Sequence, residues 1–550
     1  MLFEEIIIAP EITDSYKLGH MVQYPENTTR ICNNFTPRSS HYLDLGIPEE
    51  FRDSRAVVLG TQLFLIELKN LWQKTFFDLS IETVTKEFIR STSGFTGPRG
   101  IDIDKIIALH KLGYLPLKIY SLPEGSCVNI RVPTMLVYNT HPDFFWLPNY
   151  IETYMSCELW KMSTNATIAR IYRKIITKWQ ERTEAPAEFT DWQGHDFSMR
   201  GMDGWLSAAK SGMAHLTSFY GTDVLVASKC ANYYYGSDDA VIRGSVPATE
   251  HSVMCMGSKE TEIETFRRLI EDIYPSGIVS IVSDTWDFWK VITEYALQLK
   301  EKILSRIPDE YGLAKVVFRP DSGDPVKIIS GYRIAPPEMD PYEMRKHGYE
   351  VIKKNDKYYE IAGYKRNELG QEEVIIGTER STAEVKGAVE CLWEIFGGEV
   401  TSYNYKVLNQ RVGLIYGDSI TMERCNEILQ RLWLKKFASN NCVFGIGSYT
   451  YQFNTRDTLG YAVKSTYGEL DGVPVELFKD PITDDGTKKS AKGMLRVLFN
   501  ENTKDFSLED QITFEEFEKD HGAFNLVFND GKITSEETFE GIRQRIRSFK

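Results

Sequence analysis

The stretch KVVFRPDSGDP, Lys315–Pro325, sets the reading of the whole chain. Val316, Val317 and Phe318 form a short apolar run that meets Arg319 and Asp321 and then breaks at Ser322-Gly323-Asp324-Pro325. Such a run reads as a buried strand whose C-terminal end opens on solvent. Three other segments share the pattern: IVSIVSD (Ile278–Asp284), VGLIYGD (Val412–Asp418) and CVFGIGS (Cys442–Ser448). Packing alone does not call for Asp, or Gly and Ser, at the ends of four apolar strands. Convergence of those ends on one polar, phosphate-handling site does.

Outward from these strands, short apolar runs alternate with helical stretches from about Asp196. The strand-like runs are Asp196–Arg200, Leu225–Ser228, Ile278–Asp284, Val316–Asp321, Val412–Asp418, Val443–Gly447 and Ala462–Lys464. The clearest helices between them are Ala208–Phe219, Glu260–Ile273, Phe288–Lys302 and Met422–Lys436. This alternation predicts parallel βα units. No GxGxxG follows a strand, and polar residues at many strand ends favour a TIM-like α/β barrel over a dinucleotide-binding sheet. Residues before about 170 mix short strands with helices. After about Gly468 the chain returns to strands and turns and closes on a charged helix, Ser535–Phe549. Between Asp324 and Lys406 lies a Lys-, Glu- and Tyr-rich interruption, hairpin-like in its middle and helical near Ala383–Phe396.

With 550 residues, 42% of them hydrophobic, the chain buries a large core. A net charge of −14 argues against a nucleic-acid-coating surface, though not against a locally basic pocket. The eight cysteines are scattered, with no CxxC pair and no zinc spacing, which suits a reducing cytoplasm. MLFEEIIIAPE is acidic where a signal peptide is basic, and no stretch approaches about 18 uninterrupted apolar residues, so neither secretion nor a membrane span is expected.

Several residues carry candidate chemistry. A lone histidine is most often a hydrogen-bonded structural residue, but His251, in SVPATEHS, reads as a loop position at a strand mouth. Arg200 and Arg319 both stand where a strand gives out, and guanidinium binds phosphate bidentately. Gly445-Ile446-Gly447-Ser448 offers backbone N–H groups to a phosphate, although GxG alone is a weak signal. Asp284, Asp321 and Asp418 are too far apart for a local calcium loop. Helix capping is the bland explanation for each of them, and ribose or substrate-borne magnesium the sharper one for all three.

The segments TDSYKLGHMVQYP (13–25), WLPNYIET (146–153), HDFSMRG (195–201), GTD (221–223), GSVPATEHS (244–252), VSDTWD (282–287), RPDSGDP (319–325), YGDS (416–419), FGIGS (444–448), TRD (455–457) and FKDP (478–481) together resemble the nicotinamide phosphoribosyltransferase family. They occur in the family's order and leave only 326–406 unmatched. The resemblance implies a quinolinate-phosphoribosyltransferase-like α/β barrel at 171–467, carrying 326–406 as an insertion. The barrel would pack on an α+β domain formed by both chain ends, 1–170 and 468–550. It implies transfer from 5-phosphoribosyl 1-diphosphate to nicotinamide in a cytoplasmic homodimer with sites at the interface. Magnesium would come with the diphosphate, with no metal held by protein alone, and ATP would be coupled through a phosphohistidine at His251.

Carried over residue by residue, His251, Asp321 and Asp284 form the catalytic set. Phe197 and Tyr16 sandwich the pyridine ring, Tyr16 arriving from the partner subunit, and Asp14 is a further substrate-binding residue. Asp223 accepts the carboxamide N–H and favours nicotinamide over nicotinate, the substrate of the nearest rival reading. Arg200, His251 and Arg319 hold the diphosphate. Asp321, Gly417 and Asp418 take the ribose, and Gly447 and Ser448 the 5-phosphate. Arg38, Arg456 and Lys464 add positive charge from across the dimer. Intact Arg200, Asp223, His251, Arg319 and Asp321 argue against a catalytically idle binding barrel. Four positions depart from the family pattern: Ser198 and Met199 for Gly and Tyr, Ser448 for Gly, and Ala462 for Ser.

Overall fold

The strands Gly194–Asp196, Gly221–Thr222, Gly277–Val282, Ala314–Arg319, Val412–Tyr416 and Val443–Ile446 form one parallel sheet. This computed structural model describes residues 6–96, 101–236, 243–417, 419–479 and 491–549. The two edges of the sheet are joined by residues 244–249. On one side Gly244 N–H donates to Tyr220 O (2.9 Å), and Thr222 N–H donates to Gly244 O (3.1 Å). On the other, Ser280 N–H donates to Pro247 O (2.8 Å), and Thr249 N–H donates to Ser280 O (3.0 Å). The result is an α/β barrel whose staves follow the chain order, with Val443–Ile446 returning to pair with Gly194–Asp196. Val279, Ile281, Val316, Phe318, Leu414, Phe444 and Ile446 are buried, with Phe318 stacked on Phe266 of the helix Glu262–Arg268, so the strands share a packed core with the helix layer around them.

A seven-stranded antiparallel sheet draws on both chain ends. Its order is Val473–Glu476, Ala462–Leu470, Thr28–Thr36, Met135–Asn139, Leu117–Ser121, Asn525–Asn529, Lys532–Ile533. The helix Glu152–Thr183, with 32 residues and a length of about 48 Å, links the two layers. It packs against the helices Trp205–Leu216 and Met422–Leu434 of the barrel and against the strand Arg55–Val57. No helix among the described residues is long and apolar enough to cross a membrane.

Three strand expectations give way. Leu225–Ser228 is the start of the helix Leu225–Tyr235, whose buried Ala227, Cys230, Ala231 and Tyr235 recur at helical spacing. Ala462–Lys464 is strand, but in the antiparallel sheet opposite Asn34–Thr36 rather than in the barrel. The strand placed at Asp196–Arg200 ends at Asp196, and Met199–Gly201 is a single 3₁₀ turn.

The interruption after Pro325 is only partly an addition. Pro325–Ser330 and Ala388–Phe396 pack on the barrel, burying Val326, Ile329, Val389 and Leu392 as crossover helices do. What projects is the sheet Val351–Lys354, Lys357–Arg366, Glu372–Arg380, whose last two strands bury no residue. Arg431 fixes it to the helix Met422–Leu434 through a two-pronged pair with Glu350 (2.7 and 2.9 Å).

Candidate active site

At the end of Ala314–Arg319 the chain turns through Pro320–Gly323, and Asp324 caps the next helix by accepting Val326 N–H at 3.0 Å. Asp284, at the end of the neighbouring strand, caps nothing. Its Oδ2 accepts the N–H groups of Asp321 (2.9 Å) and Ser322 (2.8 Å) and the Ser322 hydroxyl (2.5 Å), while Oδ1 is buried with no hydrogen-bond partner. Helix capping therefore falls to Asp324 and Asp287, and explains neither Asp284 nor Asp321. His251 Nε2 lies 3.1 Å from Asp321 Oδ1 and 3.9 Å from Asp284 Oδ1, and Nδ1 lies 3.2 Å from Thr285 Oγ1. His251 is not on a loop, as its sequence context suggested, but opens the short helix His251–Met256. It is about half exposed, at 48%.

Arg319 points into the same space. Its Nη2 donates to Thr249 O at 2.7 Å, and its buried Nε has no partner. Burial pulls the guanidinium below its ordinary range, against the opposing pull of Asp321, Asp223 and Asp284. Gly417 lies against Asp321, and Tyr416 steadies the loop by donating its hydroxyl to Gly323 O at 3.0 Å. Asp418, the expected second ribose carboxylate, lies outside the described residues.

Asp223 stands just past Gly221–Thr222. Burial raises its carboxyl, but the hydrogen bonds from His195 (2.9 Å) and Ser245 and the nearby Arg319 outweigh this and hold it below the usual carboxylate range. Phe197 follows the adjacent strand and is half-buried, its ring centroid 4.5 Å from that of His195. Gly447 and Ser448 sit where Val443–Ile446 passes into the helix Ser448–Gln452. The Ser448 side chain lies where a Cβ on Gly201 would be, so only glycine at 201 lets the Arg200 turn close against it. Arg200 itself is exposed.

The backbone accommodates the four departing residues. Ser198 is fully buried, its N–H donating to Asp196 Oδ1 (2.9 Å), Met199 faces solvent, and Ala462 packs inward. Ser448 has helical backbone, which asks for no glycine.

A second group forms elsewhere on the chain. Lys17 is buried and donates to Glu152 Oε2 (2.6 Å) and Asn149 O (2.9 Å), anchoring the turn Ser15–Gly19 that carries Tyr16. Tyr16 is 60% exposed. Burial, Glu152 and Asp14 raise its phenol, and Arg456 opposes them. Asp14 accepts the Thr153 hydroxyl at 2.6 Å. Burial and then Arg38 pull the Lys464 ammonium down, with Lys479 and Arg456 adding to the effect. Among the described residues, the contacts of this basic group reach neither Phe197 nor the His251–Asp321 cluster.

Sequence reasoning passed over His195, Ser245, Thr249 and Thr285. Each sits inside a segment quoted above, two residues from Phe197, within the 244–249 stave, or beside Asp284. The signal that would have found them is adjacency of staves.

Residues 192–521 match the sequence model of the nicotinate phosphoribosyltransferase (NAPRTase) family. A protein of Acinetobacter baylyi named nicotinamide phosphoribosyltransferase is 50% identical over 543 residues, covering 98% of this chain and 97% of its own. One of the same name from Mycoplasma pneumoniae is 30% identical over 493 residues, covering 87% and 93%. The solved nicotinate-nucleotide pyrophosphorylase of Pyrococcus furiosus shares the fold, with a TM-score of 0.50 at 13% identity, covering 100% of this chain and 96% of that one.

Proposed function

The chain belongs to the nicotinate phosphoribosyltransferase (NAPRTase) family, and we infer that within it this protein is a nicotinamide phosphoribosyltransferase. It joins nicotinamide to 5-phosphoribosyl 1-diphosphate, giving nicotinamide mononucleotide and diphosphate. The observation that carries the choice of the amide is Asp223, held ionised at the barrel mouth and joined to Phe197 through His195, which touches both. An ionised carboxylate accepts a carboxamide N–H and repels the carboxylate of nicotinate.

Transfer of the phosphoribosyl group develops positive charge on the ribose as diphosphate leaves. Arg319 and Arg200 face the departing oxygens, and Asp321, fixed by Asp284, faces the sugar. No side chain need attack the ribose. Fixed charges of both signs around one mouth lower the barrier because they do not reorganise during the reaction. Gly447 and Ser448 take the 5-phosphate at the start of the following helix.

The same reading includes magnesium, ATP and a second subunit. Magnesium arriving with the diphosphate would supply neutralisation of part of its charge. His251, Asp284 and Asp321 offer ligand atoms within 4.8 Å of one another, and the unpartnered Asp284 Oδ1 suits an ion that arrives with substrate oxygens in its shell. Asp284 and Asp321 would hold it. The exposed His251 ring, braced by Asp321 and Thr285, is suited to accept a phosphoryl group from ATP. The solvent-facing group of Tyr16, Arg38, Arg456 and Lys464 supports a homodimer in which one subunit's basic group completes the other's site. Eight free thiols fit a cytoplasmic setting.

The test is mononucleotide formation from nicotinamide and from nicotinate, measured side by side on purified protein. Preference for nicotinate overturns the amide reading, and release of no diphosphate with either overturns the enzyme.

A further inference from the structure

Asp223 receives two donors, and both reach the same oxygen. His195 Nε2 lies 2.9 Å from Oδ1, and the Ser245 hydroxyl donates to that atom as well. Among the described residues no donor reaches Oδ2. The donors come from either side of Asp223: His195 from the strand Gly194–Asp196, Ser245 from residues 244–249. Three consecutive staves thus present donor, acceptor and donor in a row.

His195 is itself fixed. Its side chain is 10% exposed, and it packs close to the next strand, where a Cβ on Gly221 would come within 2.8 Å of Nδ1. Its other neighbour is the Phe197 ring. One imidazole therefore touches both the ring on which a pyridine would stack and the carboxylate that would read its substituent. An acceptor-only carboxylate requires the proton on Nε2, so the contact also fixes which nitrogen carries it.

We propose that His195 and Ser245 are specificity-determining positioning residues: together they saturate Oδ1 of Asp223 and turn Oδ2 toward the carboxamide N–H of nicotinamide. The proposal rests on the amide reading above and deepens it. Substituent recognition in this barrel is then set by three side chains, with His195 fixing the angle between the stacking plane and the acceptor. Preorganising the acceptor removes the cost of orienting it at the moment of binding.

The experiment compares wild type with Ser245→Ala, His195→Leu and His195→Gln, using nicotinamide and nicotinate at saturating 5-phosphoribosyl 1-diphosphate. Ser245 is exposed, so its alanine variant folds as wild type does, and thermal unfolding reports on the buried His195 variants. We expect Ser245→Ala and His195→Leu each to lower kcat/KM for nicotinamide about tenfold, the worth of one hydrogen bond to a charged acceptor. The loss falls in KM for nicotinamide, the preference over nicotinate drops by the same factor, and KM for 5-phosphoribosyl 1-diphosphate stays put. His195→Gln, whose amide N–H reaches the place of Nε2, recovers most of the preference. A merely structural histidine would move both KM values together and gain nothing from glutamine. If wild type prefers nicotinamide and the ratio is unchanged in Ser245→Ala and His195→Leu, this proposal falls alone. If wild type does not use nicotinamide, the amide reading falls with it. Should His195→Leu fail to fold, the ratio in Ser245→Ala decides.

Discussion

Asp284 Oδ2 accepts the backbone N–H of Asp321 at 2.9 Å, so the carboxylate that ends one barrel strand sets the shape of the loop that ends the next. The Ser322 N–H and hydroxyl complete the arrangement. Removing the acceptor in Asp284→Ala leaves two backbone donors unsatisfied, at a cost of about 1–3 kcal/mol each if water does not replace it. Asp321 and Arg319 then lose their register against the ribose and diphosphate. The expected result is a fall of about 10²-fold or more in kcat/KM for 5-phosphoribosyl 1-diphosphate, with nicotinamide affinity much less affected. Steady-state kinetics in both substrates checks this, and an unchanged kcat/KM for the phosphoribosyl donor refutes the anchoring role.

Asp223→Asn is expected to leave the fold intact and to raise nicotinate use relative to nicotinamide, because the repulsion of a second carboxylate disappears. The pH dependence follows from the same group. Burial raises the Asp223 carboxyl, but the His195 bond and charge outweigh it, and the folded value lies below the unfolded one. The ionised acceptor is therefore complete above about pH 4 and is lost only as pH falls through the depressed value. Nicotinamide KM measured from pH 6 to 9 should carry no titration from Asp223. A nicotinate-to-nicotinamide ratio that fails to rise in the variant removes Asp223 as selector.

The strand Ala314–Arg319 and its polar loop were legible in the sequence because a β-branched run, an arginine and a glycine turn each speak locally. Leu225–Tyr235 was misread because Leu, Val and Ala open it, while the buried Ala227, Cys230, Ala231 and Tyr235 keep a helical period. Residues 244–249 carry a proline and make their hydrogen bonds to strands on both sides, so nothing in their own periodicity marks a barrel stave. Ala462–Lys464 pairs with residues near Asn34. No local pattern reveals a partner more than 400 positions away. The roles of His195 and Ser245 come from the same kind of long-range adjacency: their motifs were visible, but their shared acceptor was not.

His251→Ala tests the ATP coupling apart from the transfer itself. The ring is braced by Asp321 at 3.1 Å and Thr285 at 3.2 Å, and neither contact is needed to leave Arg319 in place. ATP stimulation of mononucleotide formation should vanish while a slower ATP-independent rate persists. Transfer of label from γ-labelled ATP to the protein should drop to background. Stimulation that survives the substitution rules out His251 as the phosphoryl acceptor.

Asp53 ties the N-terminal layer to the long helix Glu152–Thr183, away from the site. Its Oδ2 accepts Arg170 Nη1 at 2.7 Å and Lys174 Nζ at 2.9 Å. Arg170 is 3% exposed, and its Nε and Nη2 have no hydrogen-bond partner, so Asp53 is its one compensating acceptor among the described residues. Burial raises the Asp53 carboxyl, but Arg170 and then Lys174 overcome this, and the folded value falls below the unfolded one. The pair's stabilisation is thus present above the unfolded value and disappears as pH drops through the folded one. Asp53→Asn strands a buried guanidinium and is expected to cost about 3–5 kcal/mol at pH 7. Wild type should lose stability steeply below about pH 4, as its carboxylates protonate, and the variant less so. Denaturant midpoints at pH 7 and at steps from pH 4 down to about pH 2 make the comparison, with kcat at pH 7 as the control that the barrel mouth is undisturbed. A variant equally destabilised at pH 7 and at about pH 2 would mean that Asp53 holds the helix by shape rather than by charge.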